Sequence, residues 1–262
     1  MANRMLILLL AMLALVRPAV AQEKRWIEGM WSDPPVTLVG ALCAGHCSDV
    51  SLDALNALLD DPKNDSQPVQ QLLQKAAARQ DAYVRAHLTP ELLKNYPPDP
   101  ADDPSFLNCE PYAGARQMFS RHQLQVTAIG RDRLELRYGE WDVRRTIYMD
   151  GRKQPAGYTP TRLGFSAGRW EGNTLVIETS GLAPGLGPDG IRYSDQMRIV
   201  EKYTRAEDGK VLWLTATLTD PRALREPIVL KKLWRWAPGS EIAPVVDCEK
   251  PATARRRDGT IK

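Results

Sequence analysis

The chain has 262 residues, 43% of them hydrophobic and 26% charged, with 35 Lys and Arg against 32 Asp and Glu. A near-neutral balance gives no reason to expect nucleic acid or an acidic membrane as a partner, and this length and apolar content suffice for a large core. Four cysteines, an even count, read as two disulfides in an exported chain.

Residues 1–21 read as a secretory signal: Arg4 supplies the positive start, Met5 to Val16 the apolar run, and Ala19-Val20-Ala21 the cleavage site. The run is short for a membrane span. The mature protein is therefore expected to be periplasmic or secreted, with no transmembrane segment. Residues 22–104 are expected to form an extended and helical region. Within it, Cys43-Ala44-Gly45-His46-Cys47 has two readings: a disulfide, or two thiolates and an imidazole for Zn or Cu(I), or redox work. The pairing expected is Cys43 with Cys47 and Cys109 with Cys248, with no metal and no cofactor. Apolar spacing predicts a helix over 51–59, carrying Leu52, Leu55, Leu58 and Leu59. A second is predicted over 68–87, ending at His87, and a short third begins at Thr89-Pro90-Glu91. The Pro- and Asp-rich stretch 97–104 reads as a linker.

From Gln123 the period changes to two, and residues 105–250 read as one β domain. Strands are predicted near 123–128, 134–138, 142–149, 163–166, 174–179, 196–205, 211–219 and 228–236, with turns at Gly130, Asp150-Gly151 and Asp208-Gly209. The Gly- and Pro-rich stretch 180–192 reads as a long loop. About eight antiparallel strands with short connections predict a mainly β fold, α+β overall: a lipocalin-like barrel or a two-sheet sandwich. Residues 251–262 read as a basic, flexible tail.

Two motifs lie in the central stretch. Gly164-Phe165-Ser166-Ala167-Gly168 matches G-x-S-x-G, yet no histidine follows Ser166 and a strand-like run, in place of a helix, comes after it, so a turn serine is the expectation. The phrases Arg-x-Ile-Tyr-Met-Asp-Gly-Arg (145–152), Gly-x-Ser-x-Gly-Arg-Trp-Glu-Gly-Asn-Thr-Leu-Val-Ile-Glu-Thr (164–179), Ser-Asp-Gln-Met-Arg-Ile-Val-Glu-Lys-Tyr (194–203) and Thr-x-Thr-Asp-Pro (217–221) together resemble a family of uncharacterised secreted bacterial proteins. The resemblance spans about Cys109 to Cys248. It implies export and no particular chemistry. Asn173 stands where the family usually has Asp, which weighs against a catalytic carboxylate there.

Charged residues on apolar faces mark the expected site. Arg145 shares its face with Val143, Ile147 and Met149, and Glu201 with Met197, Ile199 and Tyr203. If those faces point inward, the two charges must meet, because burying an unpaired ion costs several kcal/mol. Asp150, Arg152, Arg169, Glu171 and Glu178 form a second polar group, and Tyr148 and Trp170 offer rings for stacking. His122 has no evident partner in the sequence. These residues predict a protein that binds a small apolar or cyclic molecule inside the barrel. The rival readings are a cofactor-independent isomerase, hydratase or lyase using Arg145, Glu201 and Tyr148, and an envelope interaction module.

Overall fold

The computed structural model describes residues 26–244, 248–249, 256 and 259–260; the predicted signal, 1–21, and most of the basic tail lie outside them. Nine strands close a barrel: β1 Gly29–Ser32, β2 Leu124–Ile129, β3 Arg133–Tyr138, β4 Arg144–Tyr148, β5 Phe165–Glu171, β6 Thr174–Ser180, β9 Arg198–Arg205, β10 Val211–Thr219 and β11 Ile228–Trp236. A small hairpin, β7 Gly185–Leu186 and β8 Arg192–Tyr193, interrupts the run. The sandwich alternative is thereby excluded. Neighbours pair antiparallel except β4 and β5, which meet in parallel at Tyr148 and Ala167 after a long crossing segment.

Three expectations need correction. The first strand lies outside the predicted β domain: β1 pairs with both β2 and β11 and closes the barrel, so the 22–104 and 105–250 boundary does not divide the fold. A strand of four residues with only Met30 and Trp31 buried gives too little alternation to be read. Second, β5 extends through Arg169 and Trp170 to Glu171, and the turn is Gly172-Asn173. Third, Ser166 is neither an elbow nor a turn serine, but a strand residue buried in the barrel.

The helical arm, residues 33–123, is inserted between β1 and β2. It contains α1 Leu38–Leu42, α2 Asp49–Asp60, α3 Val69–His87, α4 Pro90–Leu93, α5 Pro104–Asn108 and α6 Gly114–Gln117. Ser48 caps α2, its hydroxyl accepting from the Ser51 N–H while Ser51 returns the bond. Asp61-Pro62 ends it. The buried face of α3 is Leu72, Ala76, Gln80 and Val84, one residue per turn. The arm is fixed to the barrel where Leu88 bridges Leu224 and where the Tyr83 hydroxyl accepts from the Val229 N–H at 2.9 Å.

Register assigns the connections to two ends. Residues 130–132, 172–173 and 206–210 turn tightly at one. The arm, the 139–143 turn, the 181–197 loop and the 220–227 connection all gather at the other. Between them the interior is filled. Trp31, Leu136, Tyr138, Ile147, Ile177, Tyr203, Leu214 and Trp234 belong to one core cluster and are at most 1% exposed. Side chains with so little accessible surface border no water-sized void. The apolar interior expected to hold a ligand is thus occupied by the protein's own side chains.

Both disulfides are formed, Cys43–Cys47 and Cys109–Cys248. The second spans 139 residues, a closure that stabilises by about 5 kcal/mol on loop entropy. The first leaves no thiolate pair for a metal. Among the described residues no helix is long and apolar enough to cross a membrane.

Candidate functional site

At the arm-bearing end, α3, the Cys43–Cys47 loop, residues 112–122, the 139–143 turn and the 188–190 turn surround a cleft of about 560 Å³. Two of the chain's three histidines line it. His46 is held by the disulfide and by Cys47, whose N–H and C=O pair with Lys231 on the outside of β11 at 2.8 and 2.7 Å. Its Nε2 lies 2.8 Å from Asp189 Oδ1, and its ring 5.3 Å from that of Phe119. Asp189 sits at φ 52°, between Pro188 and Gly190, in the left-handed region that Asp tolerates better than most residues. Gln80 of α3 donates to its other oxygen at 3.4 Å. Burial pushes the Asp189 carboxyl up, but the hydrogen bond and charge of His46, with Gln80, outweigh it and hold the group below the usual carboxylate range.

The second pair is His122 Nε2 with Glu140 Oε2, at 2.5 Å. Glu140 belongs to a turn whose next two residues, Trp141 and Asp142, have φ of 61° and 49°. Positive φ at a bulky Trp is costly, and such strain collects at sites where a side chain must be aimed. Around the pairs, Arg116 binds Asp103 at 2.7 Å and stacks 3.9 Å from the Tyr112 ring centre. Arg121 also lines the cleft and has no ion-pair partner among the described residues. Beneath the floor Lys232, fully buried, donates to the Ser120 carbonyl and lies 4.5 Å from the Trp234 ring. Burial pushes its amine down to about 7.

The residues singled out in the sequence fall into three separate places. Arg145 and Glu201 meet inside the barrel, Nη2 to Oε1 at 2.6 Å and Nη1 to Oε2 at 3.0 Å. Arg145 also donates to Ser166 Oγ at 2.9 Å and to Thr179 Oγ1, and the Tyr203 hydroxyl donates to Glu201 at 3.0 Å. Burial works against the Arg145 charge, and Glu201 more than offsets it, so the guanidinium stays protonated. The network is closed to solvent: Arg145 is 3% and Glu201 0% exposed. Trp170 shares the inward face but stands at the tight-turn end, edge-on to Trp26 at 5.9 Å.

Tyr148, Asp150, Arg152 and Glu178 lie outside the wall. Tyr148 stacks on Phe165 at 5.2 Å, and the Arg152 guanidinium lies over the Tyr148 ring at 4.5 Å. Arg152 Nε binds both oxygens of Asp150, at 2.9 and 2.8 Å, and holds that carboxyl down at about 2. Arg169 joins Glu171 at 2.7 Å and also Glu178. Arg152, Arg169 and Glu178 line an open outer groove of about 660 Å³, with Lys153, Gln154 and Arg198. The structure therefore does not assemble the predicted residues into one site. In the sequence alone His46 reads only as a possible metal ligand and His122 has no evident partner. The legible signals for the cleft were Pro188-Asp189-Gly190 and Gly139-Glu140, acids placed beside turn-forming glycines.

No protein-family model and no curated protein matches the chain. Among solved structures, it is similar to the wild-type fluorescent protein UnaG at 12% identity and a TM-score of 0.26, over 44% of this chain and 72% of that one. It is similar to a point mutant of UnaG at 14% identity and a TM-score of 0.26, over 44% and 70%.

Proposed function

We propose that this is an exported small-molecule-binding protein whose ligand occupies the cleft between the helical arm and the barrel end. Export rests on the signal-like residues 1–21 and on the two disulfides. One observation carries the binding reading: a concave site of about 560 Å³ in which two His–carboxylate pairs and Arg121 converge beside aromatic rings. Arg121 has no ion pair among the described residues. Tyr112 supplies aromatic surface for a ring, and Arg121 a charge for one polar substituent.

The test is native mass spectrometry of the mature protein purified from its own host, with free thiols counted on the same sample. The expected result is a small organic adduct and no free thiol. Arg121→Ala combined with Tyr112→Ala should lose the adduct. An adduct retained unchanged by that double variant would remove the cleft as the site.

A further inference from the structure

We propose that the cleft is also a cofactor-independent proton-transfer site, in which His46 and His122 act on two carbon positions of one bound carbonyl compound. This rests on the binding reading above. Its basis is the arrangement of the chain's histidines. Each imidazole in the cleft presents Nε2 to a carboxylate, Asp189 at 2.8 Å and Glu140 at 2.5 Å. A carboxylate accepting from Nε2–H fixes that tautomer and leaves the lone pair on Nδ1. Neither Nδ1 has a hydrogen-bond partner among the described residues. The third histidine, His87, is different: its Nδ1 is 2.7 Å from the Tyr83 carbonyl, and it does not line the cleft. Two oriented imidazoles and an unpaired Arg121 in one partly water-shielded cleft supply a base, an acid and an electrostatic partner for a developing oxyanion.

The step balances without any co-reactant. The neutral imidazole takes a proton from the carbon beside the carbonyl. The C–H electron pair becomes a C=C bond and the carbonyl π pair moves onto oxygen, near Arg121. As that pair returns to re-form C=O in a β,γ-unsaturated ketone, the displaced π electrons take a proton at the γ carbon from the second, protonated imidazole. The double bond has moved into conjugation and one proton has been exchanged for another. The two histidines end with their roles reversed, and solvent resets them.

The probe is 3-cyclohexen-1-one, followed by the ultraviolet absorbance of its conjugated isomer and, in D₂O, by deuterium at the γ carbon. Saturation-transfer NMR on the same samples reports whether the ketone contacts the protein. The wild type is expected to exceed buffer by about 10²-fold or more, the usual contribution of positioned acid–base groups. His46→Gln and His122→Gln, whose amides can still donate to Asp189 and Glu140, should each lose at least about tenfold. His87→Gln should keep the full rate, and circular dichroism should report all three as folded. A ketone that contacts the protein and isomerises no faster than in buffer overturns the catalytic inference and leaves binding standing. No contact and no acceleration overturns both. An equal loss in His87→Gln would also overturn the assignment.

Discussion

The two ends of the barrel are built from the same strands by opposite means. At one end the chain reverses within a few residues, at Gly130, Gly172 and Gly209, each in the left-handed region, and Trp170 and Trp26 pack over the opening. At the other, the arm and the 181–197 loop arrive from distant parts of the sequence, and their meeting leaves a polar cleft. Short turns satisfy their own backbone groups and close the core. Long insertions meet side chain to side chain, which leaves room for unsatisfied groups and for function.

Four measurements sharpen that contrast. The largest effect is expected between the ends: Glu201→Gln strands the buried Arg145 charge and should cost about 3–5 kcal/mol in denaturant unfolding, with no change in cleft binding. An unchanged midpoint would show that the pair reaches water. Next is Lys232, beneath the cleft floor. Its folded pKa, about 7, lies below the ordinary 10.5, so below about pH 7 the amine is charged in both states and its burial is fully destabilising. Between these values the unfolded chain binds more protons, and stability rises with pH by about 1.4 kcal/mol per unit. Lys232→Met should remove that rise and be the more stable protein at pH 6.5; equal slopes for the two proteins would contradict the burial. At the tight-turn end, Trp170→Ala should cost about 2–3 kcal/mol, since the ring is only partly buried, and leave ligand retention intact. Smallest is Gly172→Ala. No atom stands within 4 Å of the added carbon, so only the φ of 58° is penalised, by about 1 kcal/mol in the thermal midpoint.

The barrel was legible because its signal is local. Period two over 123–138, 196–219 and 228–236 placed β2, β3 and β9 to β11 within two residues, and face-sharing placed Arg145 and Glu201 inside. The even cysteine count predicted two disulfides, and the two that form are the preferred pairs. What escaped depends on distant meetings. β1 is too short to alternate, and its identity as a strand comes from β2 and β11 on either side. His46 meets Asp189 only after an arm of ninety-odd residues folds back over the barrel end, and nothing in their spacing encodes that. His122 meets Glu140 more locally, where the β2–β3 register of Leu124 opposite Tyr138 runs on by two residues. At Asp150 and Arg152 the charge density read near a motif takes the form of an ion pair at a surface turn, a usual state there.

The placement of β1 also governs how the polypeptide can be cut. A fragment beginning at residue 105 would retain eight barrel strands but lack the one that joins β2 to β11. Two rows of backbone donors and acceptors would then face solvent as unpaired edges, templates for self-association. The arm cannot be dissected away as a module, because the chain enters it from one wall of the barrel and leaves it into the next. Closure must also wait for the last strand: β1 and β11 lie about two hundred residues apart in sequence, so the seam forms through one of the longest-range pairings available to this chain, the kind that slows folding. A circular permutant opened in the 206–210 turn, by contrast, keeps β1, the arm and β2 continuous.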